Sequence, residues 1–105
     1  MREKLIEEKC RKYAKGLGWS MPKWTSPGEN GVHDRLLLVE AKTQADPPKV
    51  LAPGMIVPIE FKGTGCRLTQ IQKQFHRRMD ALLIEHHTID NFEDFVALCD
   101  DLKNR

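Results

Sequence analysis

Several things are scarce in this chain. It has only three cysteines, Cys10, Cys66 and Cys99, far apart and without a C-x-x-C spacing. An odd, scattered set suggests neither a disulfide framework nor a zinc site. Cys10 and Cys99 fall at helix-core spacing and read as small buried hydrophobes. No apolar run approaches the roughly 20 residues that a membrane span needs. The opening Met1-Arg2-Glu3-Lys4-Leu5-Ile6-Glu7-Glu8 lacks the apolar stretch of a signal peptide. A cytoplasmic protein without membrane contact is the expectation. Neither a repeat nor a low-complexity segment is present. Net charge is low as well, +2 over 105 residues, well short of a plainly basic nucleic-acid-binding domain.

What is there is an ordinary globular composition, 30% charged and 40% hydrophobic. The length fits one domain over residues 1–105, with one modest core. Oligomers are common at this size. The charge is unevenly spread. Residues 1–24 hold seven Lys/Arg against three Glu, while residues 80–105 hold seven acids against two bases. Arg67, Lys73, Arg77 and Arg78 cluster without an acid between them. This asymmetry is compatible with a polyanionic partner and equally with solvated faces.

Periodicity predicts a helix over residues 2–17, with Ile6, Cys10, Tyr13 and Leu17 on one stripe and Glu7 at its rim. An extended piece at Met21–Thr25 leads into the loop Ser26-Pro27-Gly28-Glu29-Asn30-Gly31. Asp34–Ala41 follows as a strand whose run Leu36–Val39 suggests burial on both faces. Thr43–Gly54, with Pro47, Pro48 and Pro53, reads as a loop or long hairpin tip. Met55–Lys62 is the next strand, in which Pro58 demands an edge position, a bulge or a later start. After the turn Gly63-Thr64-Gly65, a helix over Leu68–Leu82 buries Leu68, Ile71, Phe75, Met79 and Leu82. A strand over Leu83–Ile89 precedes a last helix over Asn91–Leu102. Asp90 and Glu93 stand there at capping-box spacing, with Phe92, Phe95, Val96 and Cys99 inward. The element order gives a mixed α/β sandwich with helices on both sheet faces.

Within that frame one constellation carries chemistry. Strand alternation puts Glu60 and Lys62 on one face and turns Phe61 away. Asp34 opens an apolar strand directly after a glycine loop. If the two strands pair, Asp34 and Glu60 converge at one sheet end. Two carboxylates suit a hard cation such as Mg²⁺, bound by oxygens at about 2.0–2.1 Å, and the Phe61 carbonyl offers a further ligand. Such an ion beside a phosphodiester offsets developing charge, and Lys62 is placed to orient water or stabilise the transition state. An E-x-K pair on a strand is also compatible with a solvated ion pair. Its placement beside apolar strands and glycine turns favours a site.

These residues, with Ile6-Glu7, Lys23-Trp24-Thr25-Ser26-Pro27-Gly28, Gly31-Val32-His33-Asp34-Arg35-Leu36, Ile59-Glu60-Phe61-Lys62 and Leu68-Thr69-Gln70-Ile71-Gln72, run in an order that resembles the VRR-NUC family of the PD-(D/E)XK nucleases. The resemblance is to the small stand-alone form found in phages and bacteria. It implies a restriction-endonuclease-like αβββαβ core with a mixed central sheet flanked by helices, and a Mg²⁺- or Mn²⁺-dependent deoxyribonuclease. Carried over residue by residue, Asp34 and Glu60 are metal ligands and Lys62 the catalytic lysine. Glu7 approaches from the first helix and Gln72 supports the site from the second. A homodimer acting on branched, Holliday-junction-like DNA is also implied. One departure stands out: His33 replaces the family's usual proline before the aspartate. A structural replacement, a phosphate contact or a metal-proximal group are its open readings.

Other candidates carry bland alternatives. Thr69 and Gln72 have capping-box spacing. Lys23 and Ser26 are candidate DNA contacts beside the Asp34 loop, and Arg67, Lys73 and Arg77 could follow a backbone or merely solvate their helix. His86 and His87 point to opposite strand faces and cannot jointly grip one metal, so both read as structural or surface groups. The competing function is a non-catalytic DNA-binding scaffold that keeps the fold.

Overall fold

The structure is a computed structural model and describes residues 1–105. Its elements run α1 (Glu3–Gly16), β1 (Arg35–Val39), β2 (Lys42–Ala45), β3 (Pro48–Ala52), β4 (Met55–Phe61), α2 (Gln70–Ala81), β5 (His87–Ile89) and α3 (Phe92–Lys103). The mixed α/β architecture agrees with the sequence-based expectation. No helix is long and apolar enough to cross a membrane.

The main sheet has the order β1-β4-β5. β1 and β4 are antiparallel from Arg35↔Ile59 to Val39↔Met55. β5 joins β4 in parallel, with Glu60 opposite Thr88. The extended piece around Met21 lies along the free edge of β1 through bridges Ser20↔Leu38 and Lys23↔Arg35. Pro58 is tolerated because the β5 pairing starts only at Ile59. At Pro58 the strand has β1 alone as neighbour, which is an edge in the sense that matters for a missing N–H.

α1 buries Ile6, Cys10 and Ala14 as one stripe, with Tyr13 and Leu17 packed beside it. It stops where Gly18 takes φ 81°, the left-handed conformation favoured after a helix end. α3 contributes Phe95, Leu98, Cys99 and Leu102, while the expected Phe92 and Val96 are only half-buried. α1 and α3 pack against each other, and Leu37, Ile59 and Phe61 of the sheet join them in one core. The Phe61 and Phe95 rings lie 6.5 Å apart. Cys10 and Cys99 are buried in this core as expected.

Several local expectations are corrected. Leu37 and Val39 are buried but Leu36 and Leu38 only partly so, giving alternation rather than burial on both faces of β1. Thr43–Gly54 is largely a second, two-stranded sheet, β2 with β3. Its prolines fit because Pro48 opens β3, where a donor is least needed. The expected Leu83–Ile89 strand shrinks to His87–Ile89, because Leu83 takes φ 58° in the turn that ends α2. The α3 cap is Asn91, whose side chain accepts from the Asp94 N–H at 2.8 Å. Asp90 is engaged otherwise, through Asn91 Nδ2 and Thr64 Oγ1. α2 buries Phe75, His76 and Met79, while Ile71 and Leu82 are exposed. The helix packs on the rings of Trp24 and His33 rather than on the main core, and that turns its buried face towards His76.

Candidate active site

The β1–β4 register, continued one residue past Arg35↔Ile59, sets Asp34 beside Glu60. Asp34 Oδ2 accepts a hydrogen bond from the Phe61 N–H at 2.7 Å, which ties the end of one strand to the end of the other. Ile59 and Phe61 point into the core, so Glu60 points to the opposite side. Glu60 is nevertheless 0% exposed, and neither of its carboxylate oxygens has a hydrogen-bond donor. Burial, and then the Asp34 carboxylate beside it, push its pKa up to about 8, while Lys62 pulls the other way. Two carboxylates this close cannot both stay charged in a dry site without help. The pair holds either a proton or a cation.

Lys62 follows the strand, half-buried, with its N–H donating to the Ile89 carbonyl at 3.0 Å. Its charge acts on Glu60 and on Glu3 of α1. Sequence reading passed over Glu3, an exposed α1 acid that feels the Asp34 and Lys62 charges. Burial, followed by the Asp34 charge, raises its pKa. Glu7, the α1 acid expected at the site, is drawn aside to Arg35 Nη2 at 3.5 Å, and Arg35 also donates to the Met21 carbonyl at 2.6 Å. Glu3 lies one turn before Glu7 on the same helix face, a spacing that could have flagged it. The chain start and α1 pass close to Gly63. A Cβ there would fit closely, 3.3 Å from Cys66 Sγ and 3.4 Å from the Met1 carbonyl.

The other candidates are more dispersed. Gln72 completes a capping box: its Oε1 accepts from the Thr69 N–H at 2.9 Å, and Thr69 Oγ1 accepts from the Gln72 N–H at 3.2 Å. Lys23 is exposed and pairs through its backbone with Arg35, next to Asp34. Ser26 is half-buried in the preceding loop. Arg67, Lys73 and Arg77 are exposed along and just before α2, while Arg78 pairs with Glu29. None of the cavities is lined by Asp34, Glu60 or Lys62. The best-enclosed one, about 370 Å³, lies at the far end of β1 against Val39, Met55 and Leu102.

Beside this site the structure gathers a cluster with no counterpart in the sequence reading. His33 stacks on His76 at 4.2 Å between ring centroids, and its Nε2 lies 2.9 Å from His86 Nδ1. Being 0% exposed, His33 cannot contact phosphate from outside. Burial, with His76 and His86 adjacent, pushes its pKa down to about 3. His86 and His87 do diverge as expected, His87 pairing with Glu85 at 2.8 Å, but His86 turns inward rather than to the surface. Nothing local in the sequence links His33, His76 and His86, so no motif could have found them. His33 Nδ1 and His76 Nε2 are buried without partners, each a group whose desolvation costs about 1–3 kcal/mol.

No family model matches the chain, and no curated protein matches it. Among solved structures, a VRR_NUC domain is similar over 93% of this chain and 94% of that chain, with a TM-score of 0.71 and 18% sequence identity. Over almost its entire length the chain is built on the fold of a VRR_NUC domain.

Proposed function

We propose that the chain is a VRR-NUC nuclease, one domain over residues 1–105, that hydrolyses DNA phosphodiester bonds with Mg²⁺ or Mn²⁺. The observation that carries this reading is Glu60: a fully buried carboxylate whose two oxygens lack any donor, set beside Asp34 with Lys62 next to it. An ion pair with Lys62 alone would leave those oxygens poorly served. An all-oxygen donor set fits a hard divalent cation. Asp34, Glu60 and the Phe61 carbonyl would hold it, and Glu3 or Glu7 could reach it through water. When bound, the cation supplies positive charge against the charge developing on phosphate.

The chain's own groups have distinct tasks. Lys62 donates to the attacking water or to a phosphate oxygen, and a half-buried ammonium is more effective there than one in bulk water. Asp34 is held in place by the Phe61 N–H, beside Glu60. Gln72 supports the site from α2, with its Oε1 committed to the cap. Lys23, Ser26, Arg67, Lys73 and Arg77 contact the DNA backbone, which positions the strand without reading sequence. Branched DNA is the proposed substrate, cut by a homodimer whose two sites face two strands. The exposed β2–β3 hairpin, with Val50 and Leu51 at its surface, is a proposed contact for DNA or the second subunit.

The test compares four-way junction, flap and linear duplex, each with Mg²⁺, Mn²⁺ or EDTA. Metal-dependent cleavage that survives unchanged in Asp34→Ala or Lys62→Ala overturns the assignment. Tight DNA binding with no cleavage of any substrate favours the scaffold reading. Light scattering that finds only monomer while cleavage is intact removes the dimer.

A further inference from the structure

Three histidines unused by the nuclease chemistry converge from separate segments. His33 precedes β1, His76 sits on α2 and His86 leads into β5. One ring nitrogen from each lies within 4.8 Å of the other two. His33 is fully buried, His76 is 8% exposed, and the His86 side chain is 10% exposed. His33 Nδ1 and His76 Nε2 have no hydrogen-bond partner. His86 Nε2 lies 2.6 Å from Asp80 Oδ1. An ionised Asp80 can only accept, so that nitrogen carries the proton and His86 Nδ1 presents a lone pair to the cluster.

We propose that His33, His76 and His86 form a binding site for one transition-metal cation of the Zn²⁺ class, with Asp80 orienting His86 from behind. Imidazole nitrogens suit Zn²⁺, Co²⁺, Ni²⁺ or Cu²⁺, whereas Mg²⁺ prefers oxygen. The cluster is therefore chemically separate from the carboxylates at Asp34 and Glu60. A ligating histidine backed by a carboxylate is the usual arrangement around such ions. A dry plug of stacked rings would need no Asp80, and it leaves His76 Nε2 unserved. Trp24 stacks on His33 at 6.1 Å and Phe75 meets it edge-on at 5.8 Å, giving walls that exclude water. Zn–N bonds of about 2.0–2.1 Å set tetrahedral ligands about 3.3 Å apart, so the widest nitrogen separation closes by about 1.5 Å, and the stacked His33 and His76 rings tilt apart so that both lone pairs meet the ion. His33 gives up its hydrogen bond to His86 and keeps its proton on the nitrogen facing away from the ion. All three rings then bind as neutral imidazoles. The ion cross-links the loop before β1, α2 and the approach to β5.

The test strips the full chain with a chelator and titrates it calorimetrically with Zn²⁺, then Co²⁺, in excess Mg²⁺. One Zn²⁺ per chain is expected, undisplaced by Mg²⁺, with Co²⁺ giving visible d–d absorption. At a hundredfold excess over Kd the Tm should rise by about 10 °C or more. His76→Phe and His86→Phe keep an aromatic ring and should abolish binding, with circular dichroism confirming that each is folded. Asp80→Asn should weaken it about 10–100-fold. Glu60→Gln should leave it intact, which separates this site from the nuclease centre. No Zn²⁺ binding by the wild-type chain overturns the proposal. So does Zn²⁺ binding that persists in the folded histidine variants, or that disappears in Glu60→Gln.

Discussion

Two buried polar clusters diverge from a single dipeptide. His33 turns into a nest of imidazoles and aromatic rings; Asp34, its neighbour, turns to Glu60 and Lys62. Desolvation is the largest influence in both, yet it moves the groups in opposite directions. Glu60 is held up to about 8 and His33 down to about 3. The reason is that burial penalises whichever form is charged, the carboxylate in one case and the imidazolium in the other. One cluster ends as a carboxylate pair in want of positive charge, the other as a nest of rings in which burial disfavours charge on His33 and His76. Neighbouring residues on one backbone thereby offer two kinds of donor.

The sharpest break between the clusters should come from catalysis. Asp34→Asn, Glu60→Gln and Lys62→Ala are each expected to lower Mg²⁺-dependent cleavage by at least about 10²–10³-fold, measured under single-turnover conditions. Phenylalanine at position 76 should cost far less on the same substrates. Equal losses from both clusters would mean that they work as one site.

The next effect is in stability and has a definite sign. Between the ordinary Glu value of 4.5 and the folded value of about 8, folded Glu60 keeps a proton that the unfolded chain has released. Metal-free protein should therefore be most stable below that window and lose stability as pH rises through it. The loss is on the order of a few kcal/mol. Urea unfolding in EDTA at pH 5 and pH 8.5 would read it, and Glu60→Gln should flatten the slope. A slope unchanged in Glu60→Gln would locate the cause elsewhere.

His33 works the other way. Its folded value of about 3 lies below the ordinary 6.5, so its contribution is complete above 6.5 and is lost as pH falls. About 2 kcal/mol should have gone by pH 5. His33→Phe should remove this acid limb and leave the Glu60 limb in place. The same variant losing the alkaline limb would show that the two clusters titrate together.

The contrast also explains what could be read from sequence. The meeting of Asp34, Glu60 and Lys62 at one sheet end was legible because strand alternation places the Glu and Lys on one face, and a glycine loop marks the start of the partner strand. The helices were legible from apolar spacing, α1 within a residue or two. The His cluster was not, since its members meet only through tertiary packing of a loop, a helix and a short strand. His76 was missed for a related reason. The apolar stripe of α2 pointed to Ile71 and Leu82, but that helix packs on a ring cluster instead of the main core. Glu3 was passed over because the pairing of Glu7 with Arg35, remote in sequence, could not be read from α1, and it leaves Glu3 as the α1 acid that feels the Asp34 charge. Proline content turned a real hairpin into an apparent loop, because composition does not say where along a strand a missing donor is harmless.

The smallest effect separates local structure from chemistry at Gln72. Its Oε1 and the Thr69 hydroxyl cap α2 reciprocally, so removing either partner loosens the same helix start. Thr69→Ala should cost about 1 kcal/mol in urea unfolding, and Gln72→Ala a similar amount. If Gln72 also supports the site, Gln72→Ala must lose more cleavage than Thr69→Ala at equal stability. Gln72→Glu retains a cap acceptor but adds a negative charge, so it should keep the stability and still reduce the rate. Matching rates in Thr69→Ala and Gln72→Ala would assign Gln72 to the cap alone. The proposed catalytic set would then consist of Asp34, Glu60 and Lys62 with an acid from α1, and α2 would contribute through His76 and Asp80 to the imidazole cluster instead.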